Sequence, residues 1–444
     1  MKSTRLFVNV LIIAVCVFGW IFFMDNLTAA SDEQAGYLKT AEEYYTSGLY
    51  ELAIEDYNKA IAVGPKLDIY RSLITACEEF FAEERSSAAQ KYLLSAYSGV
   101  NDNFPEEIEY WEKHTALYID GSKYQKAMDV LNRATKNGIT SKILEEQYKI
   151  AYWAIKTRYQ EYDTVSMYAQ NGNYTVSVDG LMGIVNNSGE DVLSAIYSYV
   201  GPANENGEVL VQSVDGEAYI LDADGVKLGR IPNRVEEARA YSEGMIAVRF
   251  EGREDWCFVD RTGTELFGGF SDAGRFSGGK AAVQKVDGSW ILIGINGEQS
   301  SANSYEGMLL GADGSYINGS RLMLKKNGAW GLYDTSGEML GTIAAEDIDL
   351  CHQSAIAYKK DGKWGFMKRS GEVYIEPQYE DARSFSNGAA AVKQNGKWGF
   401  INTDGEVVID FMFDDAGYFE KGGSCPVIPE GQSGYSLIYW TVSH

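Results

Sequence analysis

The hydrophobic rhythm of the chain changes twice. Lys2 and Arg5 precede an apolar run of 19 residues, Leu6 to Met24, broken only by Asn9 and Gly19. Its length is close to the ~20 residues that span a bilayer and exceeds the ~7–15 of a signal-peptide core. The run predicts a transmembrane signal anchor within residues 1–30. The basic flank places the N-terminus in the cytoplasm and the bulk of the chain outside it. Thr28-Ala29-Ala30 is a passable cleavage site, so secretion after cleavage is the alternative. Over residues 31–160 apolar positions recur at i, i+3 and i+4, as in Tyr37, Ala41 and Tyr44, which predicts helices. Small Ala53 and Ala60 allow paired helices to approach closely. Ser141 to Tyr159 reads as one more helix. From about Tyr162 the period drops to two, so residues 161–444 form a third, all-β region.

That region repeats itself, and a fixed period decides the fold. Lys363-Trp364-Gly365-Phe366 recurs as Lys397-Trp398-Gly399-Phe400, 34 residues on. Each Trp is followed by a turn Gly (Gly371, Gly405) and a short apolar strand. An acidic-Ala step and a Phe come next (Asp381-Ala382, Phe385; Asp415-Ala416, Phe419). Trp330, Trp290 and Trp256 stand in earlier copies, and Ala218 and Met182 take the Trp position in two more. Gly311-Ala312-Asp313-Gly314-Ser315 reads as a loop insertion. Trp364 and Phe366 share one strand face, as do Trp398 and Phe400. Trp256, Trp290, Trp330, Trp364, Trp398, Phe366 and Phe400 are therefore expected to be repeat core. The Gly after each Trp has no side chain on the opposite face, where a neighbouring backbone could approach. Asp-Gly and Asn-Gly turns such as Asp404-Gly405 and Asn395-Gly396 signal hairpins. Three strands per unit in seven registers predict a seven- to eight-bladed propeller. The region enters at Tyr174 in a third strand and leaves at Tyr435 to Trp440 in a first, so its ends could protect each other's edges. An open β-solenoid or hairpin array is the alternative.

These units resemble the bacterial WG-repeat family, named for the Trp-Gly pair. The likeness covers roughly residues 162 to 440 and is strongest in the last three copies and in the phrase Asp-Ala-x-x-Phe-Ser-x-Gly. It implies a β-repeat architecture and supplies no catalytic residues. The helical region resembles a tetratricopeptide repeat. Tyr37, Ala41, Tyr44, Gly48, Tyr50, Ala53, Tyr57, Ala60 and Pro65 fall where that helix-turn-helix takes large, small, turn and terminating residues.

Charge narrows the choice of partners. The net charge is −24, and residues 161–444 hold 41 acidic against 22 basic side chains. This argues against nucleic acid, which needs clustered Lys and Arg, and against adhesion to anionic lipid. The membrane is reached only through the N-terminal helix. Five cysteines show no C-x-x-C spacing, and His114, His352 and His444 are scattered. Asp222-Ala223-Asp224-Gly225 begins like a calcium loop but lacks the later acidic ligands, so it reads as a turn. No Ser/His/Asp set or phosphate loop is present. The expectation is a non-catalytic scaffold without cofactor or metal, anchored outside the cytoplasm and binding a protein or peptide. The alternative is a cell-wall or carbohydrate-binding module that uses exposed Tyr and Trp.

Overall fold

The computed structural model describes residues 30–317, 321–334, 336–350, 355–368 and 370–443. The chain divides into two compact units, one ending at Ala154 and the other starting at Ile155.

The first unit is helical. Helix α1 covers residues 30–46, followed by α2 (Tyr50–Val63), α3 (Leu67–Glu84), α4 (Ser87–Asn103), α5 (Ile108–Asp120), α6 (Tyr124–Lys136) and α7 (Lys142–Tyr152). Ala41, Ala53 and Ala60 have no exposed surface, which lets α1, α2 and α3 pack closely around Tyr57, Tyr70 and Leu73. Tyr37 and Tyr44 are half-buried against this core. Gly48 takes a left-handed φ of 71° in the turn before α2, and Pro65 lies exposed in the turn before α3. Buried Gln34 closes the end of α2 by donating to the carbonyls of Ala60 (2.8 Å) and Gly64 (2.6 Å). Ser86 and Ser141 cap α4 and α7. His114 is buried between α4 and α5. Asn101 Nδ2 donates to its Nδ1 (3.3 Å), and the Tyr118 ring stacks on it at 5.2 Å.

The helix expected to run on to Tyr159 stops at Tyr152, and Ile155–Tyr162 is a strand. Its partner is Tyr435–Trp440, paired antiparallel from Ile155↔Trp440 onward. Ile155, Thr157 and Tyr159 already alternate as a strand requires. A distant backbone partner prevails over local helical propensity here.

The second unit holds seven antiparallel sheets among the described residues. Sheets 1 to 6 are contiguous in sequence: 164–197, 199–231, 235–270, 272–294, 307–343 and 347–379. Sheet 7 combines residues 381–440 with the strand Ile155–Tyr162. The acidic-Ala steps are themselves two-residue strands, such as Asp272–Ala273 and Asp381–Ala382, so most sheets have four strands rather than three.

Two expectations are corrected. The propeller of seven or eight like blades is not observed. Five sheets have four strands, sheet 4 has three and sheet 7 has seven. The cause lies in Val407–Ala416, a ten-residue strand that runs on where its counterpart breaks between Val373–Tyr379 and Asp381–Ala382. That continuity merges the last units into one sheet. Nor is the unit an open array, because its first and last strands pair. The transmembrane helix is the second correction: among the described residues no helix is long and apolar enough to cross a membrane. The apolar run Leu6 to Met24 lies outside the described residues.

The Trp-Gly pair has a local explanation. Trp398 pairs with Phe413 and Phe400 with Ile409, so the strand Val407–Ala416 carries extra residues opposite Gly399. That bulge brings backbone onto the glycine: a Cβ there would lie 2.8 Å from the Ile409 carbonyl oxygen. Gly365 (2.5 Å from the Ile375 carbonyl oxygen) and Gly183 (2.5 Å from that of Leu193) repeat the arrangement in sheets 6 and 1. In sheet 3 Cys257 follows the Trp, and the glycine has moved across the ladder. Gly268 faces it, where a Cβ would lie 2.6 Å from that of Cys257.

Trp256, Trp290, Trp330 and Trp398 are buried, as are Phe366 and Phe400, whereas Trp364 is half-buried. Trp398→Ala should therefore cost about 3–5 kcal/mol, the range for a core aromatic, and Trp364→Ala clearly less. Thermal melts of the two variants test this, and equal losses would contradict the assignment.

Candidate functional site

Neighbouring sheets are tied by the residues of the Asp-Ala-x-x-Phe-Ser phrase. Asn204 Nδ2 in sheet 2 donates to the Tyr241 carbonyl of sheet 3 (3.0 Å). Ser242 Oγ in sheet 3 donates to the Phe276 carbonyl of sheet 4 (2.7 Å). Ser386 Oγ donates to the Phe419 carbonyl (2.6 Å) within sheet 7. Arg239 adds a second tie, donating to the Ala273 carbonyl (2.9 Å) and to Asp272 (2.8 Å) while its guanidinium lies 4.4 Å from the Trp256 ring. Arg383 does the same toward Ala416 and Asp415, over Trp398. The conspicuous Asp, Arg and Ser residues of the repeat are thus committed to structure.

Where the phrase breaks, a cavity opens. It has a volume of about 420 Å³ and is lined by loops that follow the short strands of six sheets. Tyr168 comes from sheet 1, Glu205 from sheet 2, Arg275 from sheet 4, Asp313 and Ile317 from sheet 5, Leu350 from sheet 6 and Glu420 from sheet 7. The inserted loop 311–315 reaches several of these sheets. Its Asp313 and Gly314 carbonyls accept from Ala240 N–H (3.0 Å) and Arg275 N–H (2.8 Å), and Ala312 N–H donates to the Tyr168 hydroxyl. Gly314 has a φ of 84°, and a Cβ there would lie 2.8 Å from Arg239 Cβ, so the loop depends on glycine at this point.

The charges are unevenly satisfied. Arg275 donates to Glu205 (2.8 Å), and Asp313 lies 3.2 Å from its Nε as an ion pair, although that buried Nε makes no hydrogen bond. Its bond to Glu205 holds that carboxyl below the usual range. Asp313 also accepts from Ser315 N–H and Oγ (3.0 and 2.7 Å). Glu420 accepts one backbone N–H, from Ala169 at 3.0 Å, through Oε1. Burial raises its carboxyl to about 7, against the pull of that N–H. Burial, then the negative field of Asp313, raises the Tyr168 hydroxyl to about 12.

None of the residues expected from the sequence to matter lines this cavity. The tryptophans and phenylalanines are core, and the helical-repeat residues belong to the other unit. Tyr168, Glu205, Arg275, Asp313 and Glu420 were not legible as a group. One signal was present: Glu420 stands where Ser242, Ser277 and Ser386 stand in other copies.

With the geometry in place, one comparison with known proteins bears on the repeat. The family model described as WG containing repeat matches residues 256–290, 364–398 and 398–423, so the second unit carries repeats of this kind. No curated protein matches the chain. Among solved structures, BamB from Moraxella catarrhalis is similar at 13% identity over 64% of this chain and 98% of its own, with a TM-score of 0.41. Hsv2p from Kluyveromyces lactis is similar at 10% identity over 55% and 93%, with a TM-score of 0.36. At these scores neither defines the fold or the function of this chain.

The buried titratable groups of the two units predict opposite responses to acid. Burial, then the field of Arg133, lowers His114 from 6.5 to about 4. The unfolded chain therefore takes up a proton between pH 6.5 and 4 that the native one refuses, and stability falls with pH. Glu420 is raised from 4.5 to about 7, so the native chain keeps a proton that the unfolded one has lost, and stability rises as pH falls through that window. Between pH 7 and 5 each effect amounts to about 2 kcal/mol. Melts at the two pH values should show His114→Asn relieving the acid loss and Glu420→Gln removing the acid gain. Unchanged pH slopes in both variants would contradict these assignments.

Proposed function

We propose that the chain is a non-catalytic interaction scaffold whose repeat unit binds a protein or peptide partner through the loop face around this cavity. One observation carries the reading: loops from six sheets converge on a polar cavity, while the repeated side chains are spent on the core and on ties between sheets. The helical unit, with its tetratricopeptide-like pattern from Tyr37 to Pro65, offers a second surface of the kind that stacked helical repeats use for segments of other proteins. The apolar run behind Lys2 and Arg5 supports a place of action outside the cytoplasm. The carbohydrate-binding alternative keeps exposed tyrosines such as Tyr92, Tyr148 and Tyr374, but no Trp among the described residues is exposed.

A photo-crosslinking amino acid at Asn171, on the rim of the cavity, should capture a discrete partner in intact cells. The same group at Leu266, exposed on the outer strand of sheet 3, should not. Capture at Leu266 alone, or at neither position, would overturn the reading. For the location, protease added to cells stripped of their wall should digest residues 31–444, and full protection would refute it.

A further inference from the structure

We propose that the cavity between Tyr168, Ile317, Leu350 and Glu420 is a binding site for an alkylammonium group, with Glu420 as its counter-ion. This rests on the reading of the loop face as the partner-binding surface and gives that surface its chemistry.

Consider first what the cavity cannot hold well. Among the described residues Arg275 is the one lining cation, and Glu205 and Asp313 flank it at 2.8 and 3.2 Å, although its Nε makes no hydrogen bond. An anion would have to displace those carboxylates and would meet the field of three acidic groups. Asp313 is equally committed, to Arg275 and to Ser315. Glu205 is mostly exposed and paired. What remains is Glu420. Its Oε1 holds the Ala169 N–H, and no hydrogen bond to its Oε2 is found among the described residues. Glu420 is half-buried and solvent reaches that second oxygen, so an incoming cation can reach it and pair with it.

The walls select the kind of cation. Ala203, Ile317, Leu350 and the Tyr168 ring supply apolar surface beside the carboxyl. Methylenes can lie on that surface while the charged head meets Glu420, as amphipathic lysine side chains do elsewhere. A guanidinium would want both carboxylate oxygens in a fork, but Oε1 is already taken by backbone. An ammonium, a compact charge on a flexible stem, needs only one. Bound this way, it would also neutralise the ionised form of Glu420 that burial disfavours. The ammonium could come from a lysine side chain of the partner or from a free polyamine, and the chemistry of recognition is the same.

The test is calorimetric titration of the full chain with three probes: Nα-acetyl-lysine methylamide, its neutral Nε-acetylated form, and 1,4-diaminobutane. The expected result is that at least one of the two ammonium probes binds, that the Nε-acetylated form does not, and that Glu420→Gln weakens binding by at least about tenfold. Gln is nearly isosteric with the protonated carboxyl and keeps an acceptor for Ala169, so the variant should melt no lower than wild type at pH 7. A tighter lysine derivative would identify a partner's side chain as the source, and a tighter diamine a free polyamine. Binding of neither ammonium, equal binding of the acetylated form, or undiminished binding to Glu420→Gln in a folded variant would overturn the proposal. The probes are small molecules, so their failure would remove the chemistry and leave the crosslinking result at Asn171 standing on its own.

Discussion

The pairing of the first and last strands of the repeat unit is the constraint on which the rest depends. Ile155–Tyr162 has Tyr435–Trp440 as its ladder partner, and through it sheet 7 takes in both ends of the unit. The consequence is felt well away from the ladder. Tyr418 N–H donates to the Met167 carbonyl (2.9 Å), Ala169 N–H to Glu420 (3.0 Å) and the Tyr174 hydroxyl to the Ser424 carbonyl (3.0 Å). Each of these contacts joins residues about 250 positions apart. The entropy of closing so long a loop grows only logarithmically with its length, so a ladder of ordinary backbone hydrogen bonds can offset it. Glu420 owes its burial, and so its raised carboxyl, to the same closure.

Within that constraint the repeat works as a set of exchanges between neighbours. A sheet that bulges the strand paired with the Trp strand needs glycine opposite the bulge, which is why Gly183, Gly365 and Gly399 recur after a large side chain. Sheet 3 meets the need with Gly268 on the other strand. What is held constant is the close approach, and the residue that supplies it can sit on either side. The ties between sheets follow the same logic. Ser242 and Ser386 satisfy carbonyls beyond their own repeat, and Arg239 reaches both a carbonyl and a carboxylate in the next sheet. Such ties couple each repeat to the next, the nearest-neighbour term on which repeat proteins depend.

This explains which parts of the structure were legible in the sequence. The hairpins, the strand periodicity and the buried tryptophans at 256, 290, 330 and 398 follow from patterns within one repeat, and a single chain displays those. The sheet boundaries do not. Whether Val407–Ala416 runs on or breaks depends on one local bend, and periodicity cannot register it. Local pattern carries the helix on to Tyr159, over most of the strand Ile155–Tyr162, because the strand's partner lies at the far end of the chain. The cavity was hidden for a different reason. Tyr168, Glu205, Arg275, Asp313 and Glu420 occupy different phases of the repeat, and some lie in loops that belong to no repeat position. Only the replacement of Ser by Glu at position 420, together with the insertion at 311–315, departed visibly from the pattern.

Those departures also set the electrostatics of the site. The chain carries a net charge of −24, and a cation would be drawn weakly toward almost any part of it. Long-range attraction of that kind is screened within about 8–10 Å at ordinary salt and selects nothing. Selection needs a charge that no side-chain cation of the protein already pairs, set where a ligand can reach it. Most acidic groups of the repeat do not qualify: Asp222, Asp260 and Asp334 accept backbone N–H groups in their own turns, and Asp272 and Asp415 accept from arginines. Glu420 differs because the serine it replaces would have donated to a neighbouring carbonyl, and a carboxylate cannot. In place of that tie it turns toward Ala169 and the cavity. One substitution therefore removes a structural hydrogen bond and leaves a half-buried carboxyl at the cavity that no side-chain cation of the described residues pairs.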